Sequence, residues 1–158
     1  MIIRIGNGID VHRLEEGIPL IIGGISIPHA KGSKGHSDGD VLFHSIVDAI
    51  LGALSLGDIG LHFPSSDAKW KNANSQIFLE YAYKMLLEKK YKIENIDSTI
   101  ILQKPALSPY IKEIKNNTKS ILSLNIEQVS IKATTTDKLG FLGNGQGIAA
   151  ITSVLLKN

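Results

Sequence analysis

The stretch Gly35–Gly57, GHSDGDVLFHSIVDAILGALSLG, decides how the chain is read. From Val41 onward its apolar residues Val41, Leu42, Ile46, Ala49, Ile50 and Ala53 recur at helical spacing. Asp40 stands where an N-cap belongs, and Gly57 marks the expected end. Before the cap comes a glycine-flanked polar loop, Lys31 to Gly39. His44 falls on the first turns of the helix, with Asp40 and Asp48 four residues to either side. Near the start of the chain, GIDVH places Asp10 and His12 two apart. The chain has only five histidines, and His12, His36 and His44 lie in these two stretches among Gly, Ile, Val, Leu and Phe. Such clustering in apolar surroundings points to a site.

Working outward, Ile3, Ile5, Ile9 and Val11 mark a first strand that ends at the Asp10/His12 pair. Ile18 to His29 reads as two short strands around Gly23-Gly24. Gly57 to Asp67 reads as a loop. A second helix is expected over Ser75–Lys90, with Ile77, Phe78, Tyr81, Met85 and Leu86 on one face. Ile96–Leu102 and Val129–Thr134 read as strands, and Ile148–Leu156 as a last one. Ser108-Pro109 signals a helix start, running to about Leu124. The order predicts an α+β single-domain sandwich over residues 1–158, a mixed sheet with helices on one face.

Composition narrows the function. At 158 residues, 43% hydrophobic and 20% charged, the chain can bury one core. A net charge of +2 gives no basis for nucleic-acid or membrane binding. No cysteine is present, so a metal must take nitrogen and oxygen ligands, and a reducing, cytoplasmic setting is expected. No signal peptide and no apolar run of bilayer length is seen.

Period-two geometry puts Asp10 and His12 on one face of their strand. With His44 they form an Asp-His-His set with an open fourth position, a catalytic zinc pattern. The alternative is a hydrogen-bonded turn and a satisfied core histidine. Asp48 could hold the second ring nitrogen of His44, or serve at a subunit contact. His36, Ser37 and Asp38 suit phosphate oxygens, or simply cap the helix. Thr134, Thr135 and Thr136 offer hydroxyls straight after a strand, and Asp137 could hold a hard cation; a plain turn would use the same residues. Leu102 to Pro109 could read a base edge or merely connect a strand to a helix. Together these features imply a phosphorylated substrate handled by metals.

IGNGIDVHRL, IIGGISIP, GHSDGDVLFHSIVDAILGALSLGDIGLHFP, KATTTDKLGF and the closing GIAA resemble, in order and spacing, the 2-C-methyl-D-erythritol 2,4-cyclodiphosphate synthase family, over essentially the whole chain. The resemblance implies a homotrimer with active sites between subunits, working in isoprenoid precursor synthesis. The substrate would be 4-diphosphocytidyl-2-C-methyl-D-erythritol 2-phosphate, whose 2-phosphate attacks the β-phosphorus and expels CMP. By match, Asp10, His12 and His44 are zinc ligands, a substrate phosphate oxygen takes the fourth position, and Asp10 and His12 also contact substrate. His36 and Thr135 match the residues that stabilise the transition state, and His36 with Ser37 contacts phosphate. Asp58, Ile59, Gly60, Phe63, Pro64, Ser65, Ser66 and Asp67 match the erythritol pocket. Leu102, Gln103, Lys104, Pro105, Ala106, Leu107 and Ser108 match the cytidine pocket of a neighbouring subunit, and Thr134, Thr136, Phe141 and Asn144 complete the implied substrate contacts. Asp137 stands where Glu usually ligates the Mg²⁺ or Mn²⁺ between the α- and β-phosphates.

The chain departs from the family pattern at four places. Asn7 replaces a common His, and Ala106 a frequent Lys. Asp137 is one methylene shorter than Glu. Asn144 and Gln146 stand where some members carry Arg and Glu; there, three arginines line the trimer axis and bind an isoprenoid diphosphate. Three Asn cannot supply that charge, so loss of the axial site is expected. Two rivals differ in chemistry: a phosphoesterase using zinc-activated water, and a non-catalytic nucleotide- or isoprenoid-binding trimer.

Overall fold

Alternation along the first strand organises the molecule. In the computed structural model, which describes residues 1–158, β1 (Ile3–Glu16) turns Gly6, Gly8, Asp10, His12 and Leu14 to one side. Ile3, Ile5, Ile9 and Val11 turn to the other. Helix α1 (Val41–Ala53) lies on the first side. It approaches so closely that a Cβ on Gly8 would sit 1.9 Å from the Ser45 carbonyl oxygen, and one on Gly6 1.8 Å from that of Ala49. Only hydrogen at those two positions lets the helix backbone rest on the strand. Ser45 Oγ then reaches Thr152 Oγ1 at 2.7 Å, across the sheet position paired with Gly8.

Five strands form a mixed sheet in the order β4 (Lys31–Lys34), β1, β7 (Gly147–Lys157), β5 (Lys92–Ile101), β6 (Val129–Thr134). Only the β5–β6 pair is parallel; β1 runs antiparallel to both its neighbours. The hairpin β2 (Leu20–Ile22) and β3 (Ile25–Ile27) forms a separate two-stranded sheet. Helices α1, α3 (Gln76–Glu88) and α4 (Ile111–Ile121) contribute to one continuous apolar core. Phe43, Ile46, Ile50, Leu79, Leu86, Ile100 and Val154 are buried in it. Burying a side chain such as Phe43 contributes about 1.5–3 kcal/mol. The outer face of β1 and β7 stays open: Ile3, Ile5, Ile9, Val11 and Ile151 are exposed there, Ile5 to 76%.

The α+β reading, the Gly23-Gly24 hairpin and the Asp40 cap are all present. Several boundaries move. β1 does not stop at His12 but continues to Glu16, because Arg13–Glu16 pair with Lys31–Lys34. That pairing turns the first half of the expected Lys31–Gly39 loop into β4. Gly32 belongs to the strand because a Cβ there would meet the Pro19 carbonyl at 2.1 Å. Helix α1 ends at Ala53, before Gly57, where Leu54 caps it and Ser55 turns to φ 58°. Inside the expected Gly57–Asp67 loop, Asp58 caps a one-turn helix α2 (Ile59–His62). The buried residues of α3 are Phe78, Leu79, Ala82 and Leu86, while Ile77 is exposed. Ser108-Pro109 does not open α4; Tyr110 is its N-cap, and the helix ends at Ile121. β5 begins at Lys92, four residues early, with a bulge against β7 at Ile93/Asn95. A one-turn helix α5 (Gly140–Gly143) interrupts the expected loop after β6.

Candidate active site

Three side chains converge where β1 passes under α1. Asp10 and His12 come from the inward face of β1, and His44 from the first turns of α1, buried to 8% exposure. The tight Gly6/Gly8 contact brings the helix down to the strand and the three side chains together. Asp10 Oδ2 lies 2.7 Å from His12 Nε2 and 3.1 Å from His44 Nδ1. The two ring nitrogens are 3.2 Å apart. All three ligand atoms fall within 4.8 Å of one another.

The donor set fits a metal. His12 Nδ1 is 2.8 Å from the Lys34 carbonyl, which only accepts, so Nδ1 carries a proton and Nε2 is the nitrogen turned to the cluster and open to a metal. A carboxylate oxygen and two imidazole nitrogens converging on one point are what a nitrogen/oxygen zinc site requires. Burial alone would raise the Asp10 carboxyl. In the metal-free chain His12 and His44, close enough to donate to it and to share their charge, outweigh burial and hold the group far below the usual carboxylate range. His12 moves oppositely: burial would lower it, but Asp10 outweighs burial and raises it.

The cluster opens into a cavity of about 220 Å³ lined by Asp10, His12, His36, Ser37, His44, Ile59, Gly60, Phe63, Ser65, Trp70 and Phe78. Nine of the candidate site residues singled out in the sequence thus meet in one place. His36 Nε2 donates to the Asp67 carbonyl at 3.2 Å, tying the phosphate loop to the 63–67 segment. Phe63 packs against Phe78 and edge-on against Trp70, at 4.5 and 4.9 Å between ring centres, walling the cavity. Asp67 caps the 3₁₀ turn Ala68–Trp70, and Pro64 and Ser66 are exposed on the same loop.

Asp48 does not hold His44. Its Oδ1 accepts from the Ile59 amide at 2.7 Å, fixing the Asp58–His62 turn beside the cavity. Burial raises its carboxyl despite that bond, and neighbouring Asp58 raises it further. The second nitrogen of His44 instead meets Ser75, at the start of α3. Sequence reasoning missed Ser75 and Trp70. Ser75 lies 31 residues from His44 and carries no local signature; the single Trp of the chain was a signal that went unused. Asp40 caps α1 and also accepts from the Gly23 and Gly24 amides, holding the hairpin against the helix. Burial pushes its carboxyl up to about 6, with the three amides opposing.

The remaining candidates sit elsewhere in the subunit. Leu102, Gln103, Pro105, Ala106, Leu107, Ser108, Thr134 and Thr135 line a second cavity of about 310 Å³, together with Ile111 and Ala133. Gln103 Oε1 accepts from the Lys138 amide at 3.1 Å, joining its two loops. Asp137 is exposed at φ 54°, its amide donating to Thr135 Oγ1; Thr136 Oγ1 donates to the Leu139 carbonyl. Phe141 lines a third cavity with Val11, His12, Arg13 and Gln146. Asn144 lines a fourth with Lys104, Lys31 and Lys138. Within one subunit, neither Thr135 nor Asp137 lines the cavity that holds the Asp10–His12–His44 cluster.

A family model described as the YgbB family matches residues 3–157. The chain belongs to the YgbB family. Relatives with curated names agree: it is 53% identical over 155 residues to the 2-C-methyl-D-erythritol 2,4-cyclodiphosphate synthase of Fusobacterium nucleatum, covering 98% of this chain and 97% of that one. Among solved structures, IspF of Plasmodium falciparum, determined as a CDP complex, is 40% identical with a TM-score of 0.87, covering 99% of this chain and 97% of that one. The bifunctional IspDF of Campylobacter jejuni is 46% identical with a TM-score of 0.95, covering 99% of this chain, which spans 42% of that longer protein. No helix of this YgbB-family chain is long and apolar enough to cross a membrane.

Proposed function

We propose that this chain is a lyase that cyclises 4-diphosphocytidyl-2-C-methyl-D-erythritol 2-phosphate to 2-C-methyl-D-erythritol 2,4-cyclodiphosphate and releases CMP. The observation that carries the reading is the Asp10–His12–His44 cluster opening into the His36/Ser37 cavity, in a chain of this family. One 2-phosphate oxygen forms a bond to the β-phosphorus, the bond from that phosphorus to the bridging oxygen breaks, and CMP leaves with the oxygen. No water and no protein nucleophile are needed.

Zinc held by Asp10, His12 and His44, with Mg²⁺ or Mn²⁺ near Asp137, would supply electrostatic stabilisation of the phosphates. The protein's own work is positioning. His36 and Ser37 present donors to phosphate at the mouth of the cavity. Ile59, Gly60, Phe63 and the Pro64–Asp67 loop enclose the erythritol carbons beside it. The Leu102–Ser108 loop reads cytidine through its backbone, since Ala106 offers no side-chain charge, and Thr135 donates to the transferring group.

Thr135 and the metal cluster line different cavities of one subunit, which supports a site completed by a neighbouring copy. The exposed apolar face of β1 and β7 supports the same homotrimer, because surfaces of this kind mark contacts. The whole described chain then acts as one catalytic unit. Asn144 and Gln146 carry no positive charge, so an axial isoprenoid diphosphate site is lost, and titration with farnesyl diphosphate should show no binding in the micromolar range.

³¹P NMR of the zinc-loaded protein with the diphosphocytidyl substrate and Mg²⁺ tests the reaction. Two coupled signals of a cyclic diphosphate, with CMP in equal amount, are expected. Inorganic phosphate or a linear diphosphate would instead establish hydrolysis by a zinc-activated water.

A further inference from the structure

His44 turns Nδ1 toward Asp10 and His12 and Nε2 away from them. Nε2 lies 2.8 Å from Ser75 Oγ and 3.0 Å from Ser37 Oγ. The Ser75 hydroxyl is hydrogen-bonded to Asp38 Oδ1, and the Ser75 amide donates to Asp38 Oδ2 at 3.0 Å. An ionised carboxylate accepts and never donates. The Ser75 hydroxyl proton therefore points at Asp38, and its lone pairs are what His44 meets. Nε2 must carry a ring proton, so in the neutral, metal-binding form of the ring Nδ1 is bare and aimed at the cluster. One carboxylate, two bonds away, sets every direction in the chain.

We propose that Ser75 is a positioning residue for the metal, passing the charge of Asp38 to His44 so that Nδ1 is kept as a ligand. The inference rests on the metal site proposed above and adds how one of its ligands is prepared. The arrangement is built into the fold. Ser75 is fully buried. Asp38 is itself anchored, accepting from the Asp40 amide at 3.1 Å while its own amide donates to the Ala73 carbonyl at 3.0 Å. The Asn72 amide donates to the His36 carbonyl at 2.8 Å, so residues 72–75 are zipped along the 36–38 loop. Ser75 occupies the N-cap position of α3 yet makes no cap hydrogen bond, because its hydroxyl is used on His44 and Asp38. The side chain gives up a favourable local role for a distant one. A metal-bound histidine whose other nitrogen donates to a carboxylate is a recurring device; here a serine is inserted between the two. Ser37 is not equivalent. It reaches no carboxylate, and its hydroxyl lies at the cavity wall where substrate phosphate would compete for it.

The test measures zinc affinity of the full-length protein by chelator competition and the visible spectrum of the cobalt-loaded form. Ser75→Ala should weaken zinc about 10- to 100-fold, the range for losing such an outer partner. Asp38→Asn should weaken it comparably. Because both break one chain, the double variant should bind within about threefold of the weaker single variant rather than show the product of the two losses. Ser75→Thr keeps the hydroxyl and should retain most of the affinity. The cobalt bands should shift in Ser75→Ala and Asp38→Asn and stay in place in Ser75→Thr. Unchanged zinc affinity in folded Ser75→Ala would overturn the proposal, as would multiplicative losses in the double variant. Should Ser75→Ala not fold, Asp38→Asn decides: parental affinity there overturns it. A parent protein that binds neither zinc nor cobalt refutes the metal site itself and the relay with it, an outcome distinct from a tight-binding Ser75→Ala.

Discussion

The two cavities that carry the candidate residues are built differently. In the first, both metal-facing imidazoles are hydrogen-bonded from behind, His12 to Lys34 and His44 to Ser75, and the adjoining turn is held by Asp48. It sits where helix backbone touches strand backbone. In the second, the polar groups bond locally, Leu102 to Thr134, Lys138 to Gln103, Asp137 to Thr135, and most of them are exposed. One region is finished within the chain and the other waits for something to face. A rigid ligand cluster needs preorganisation, whereas on the function proposed above the second surface would be completed by assembly.

The largest effect should come from the first cavity. His44→Ala should strip zinc from the purified protein and lower kcat/KM about a thousandfold or more, some 4 kcal/mol. Chelation should reproduce the loss and added zinc should reverse it in the parent only. Gly8→Ala, which adds no charge and removes no ligand, should cost about 3 kcal/mol of stability by forcing α1 off β1, read as a lowered Tm. No glycine lines the second cavity.

Thr135→Ala should reduce kcat about 10- to 100-fold with zinc content unchanged, since one donor to the transferring group is lost. Refolding it together with His44→Ala sharpens the contrast: random trimers would hold about a quarter of their sites intact, each variant lending the half the other lacks. Absence of any recovered activity would place both halves in one subunit.

Asp40→Asn should have the smallest effect. The folded chain holds this carboxyl's proton up to about 6, against 3.8 ordinarily, because the group is buried. Folded protein therefore binds more protons than unfolded between those values, and stability falls as pH rises through that window. The variant should flatten this slope while losing about 1–2 kcal/mol, as its amide cannot accept from Gly24. Denaturant midpoints from pH 4 to pH 7 would show it.

What was legible in the sequence followed from local chemistry. Asp40, the apolar period after it and Gly23-Gly24 each specify a cap, a helix or a turn within a few residues. Asp10 and His12 share a face because a strand has period two. What was not legible depends on partners far along the chain. Lys31–Lys34 is glycine- and lysine-rich and becomes a strand only because Arg13–Glu16 pairs with it. Ser75 took the place beside His44 expected of Asp48, since the direction in which α3 enters the site is a property of the packed core. Ser108-Pro109 has the residues of a helix start, but the Leu107 carbonyl accepts from both Tyr110 and Ile111, so a turn precedes the helix.

Gly6 and Gly8 bear no functional group, yet the spacing of the ligand cluster depends on them as much as on any imidazole. In a saturation library scored for growth, these two glycines should be as intolerant as Asp10, His12 and His44. Scored instead for soluble abundance, the two sets should separate, with the glycines depleted and the ligands retained. The chemistry of this fold is thus inherited through two vacant side-chain positions, and any relative that keeps the three ligands must also keep the gap beneath its first helix.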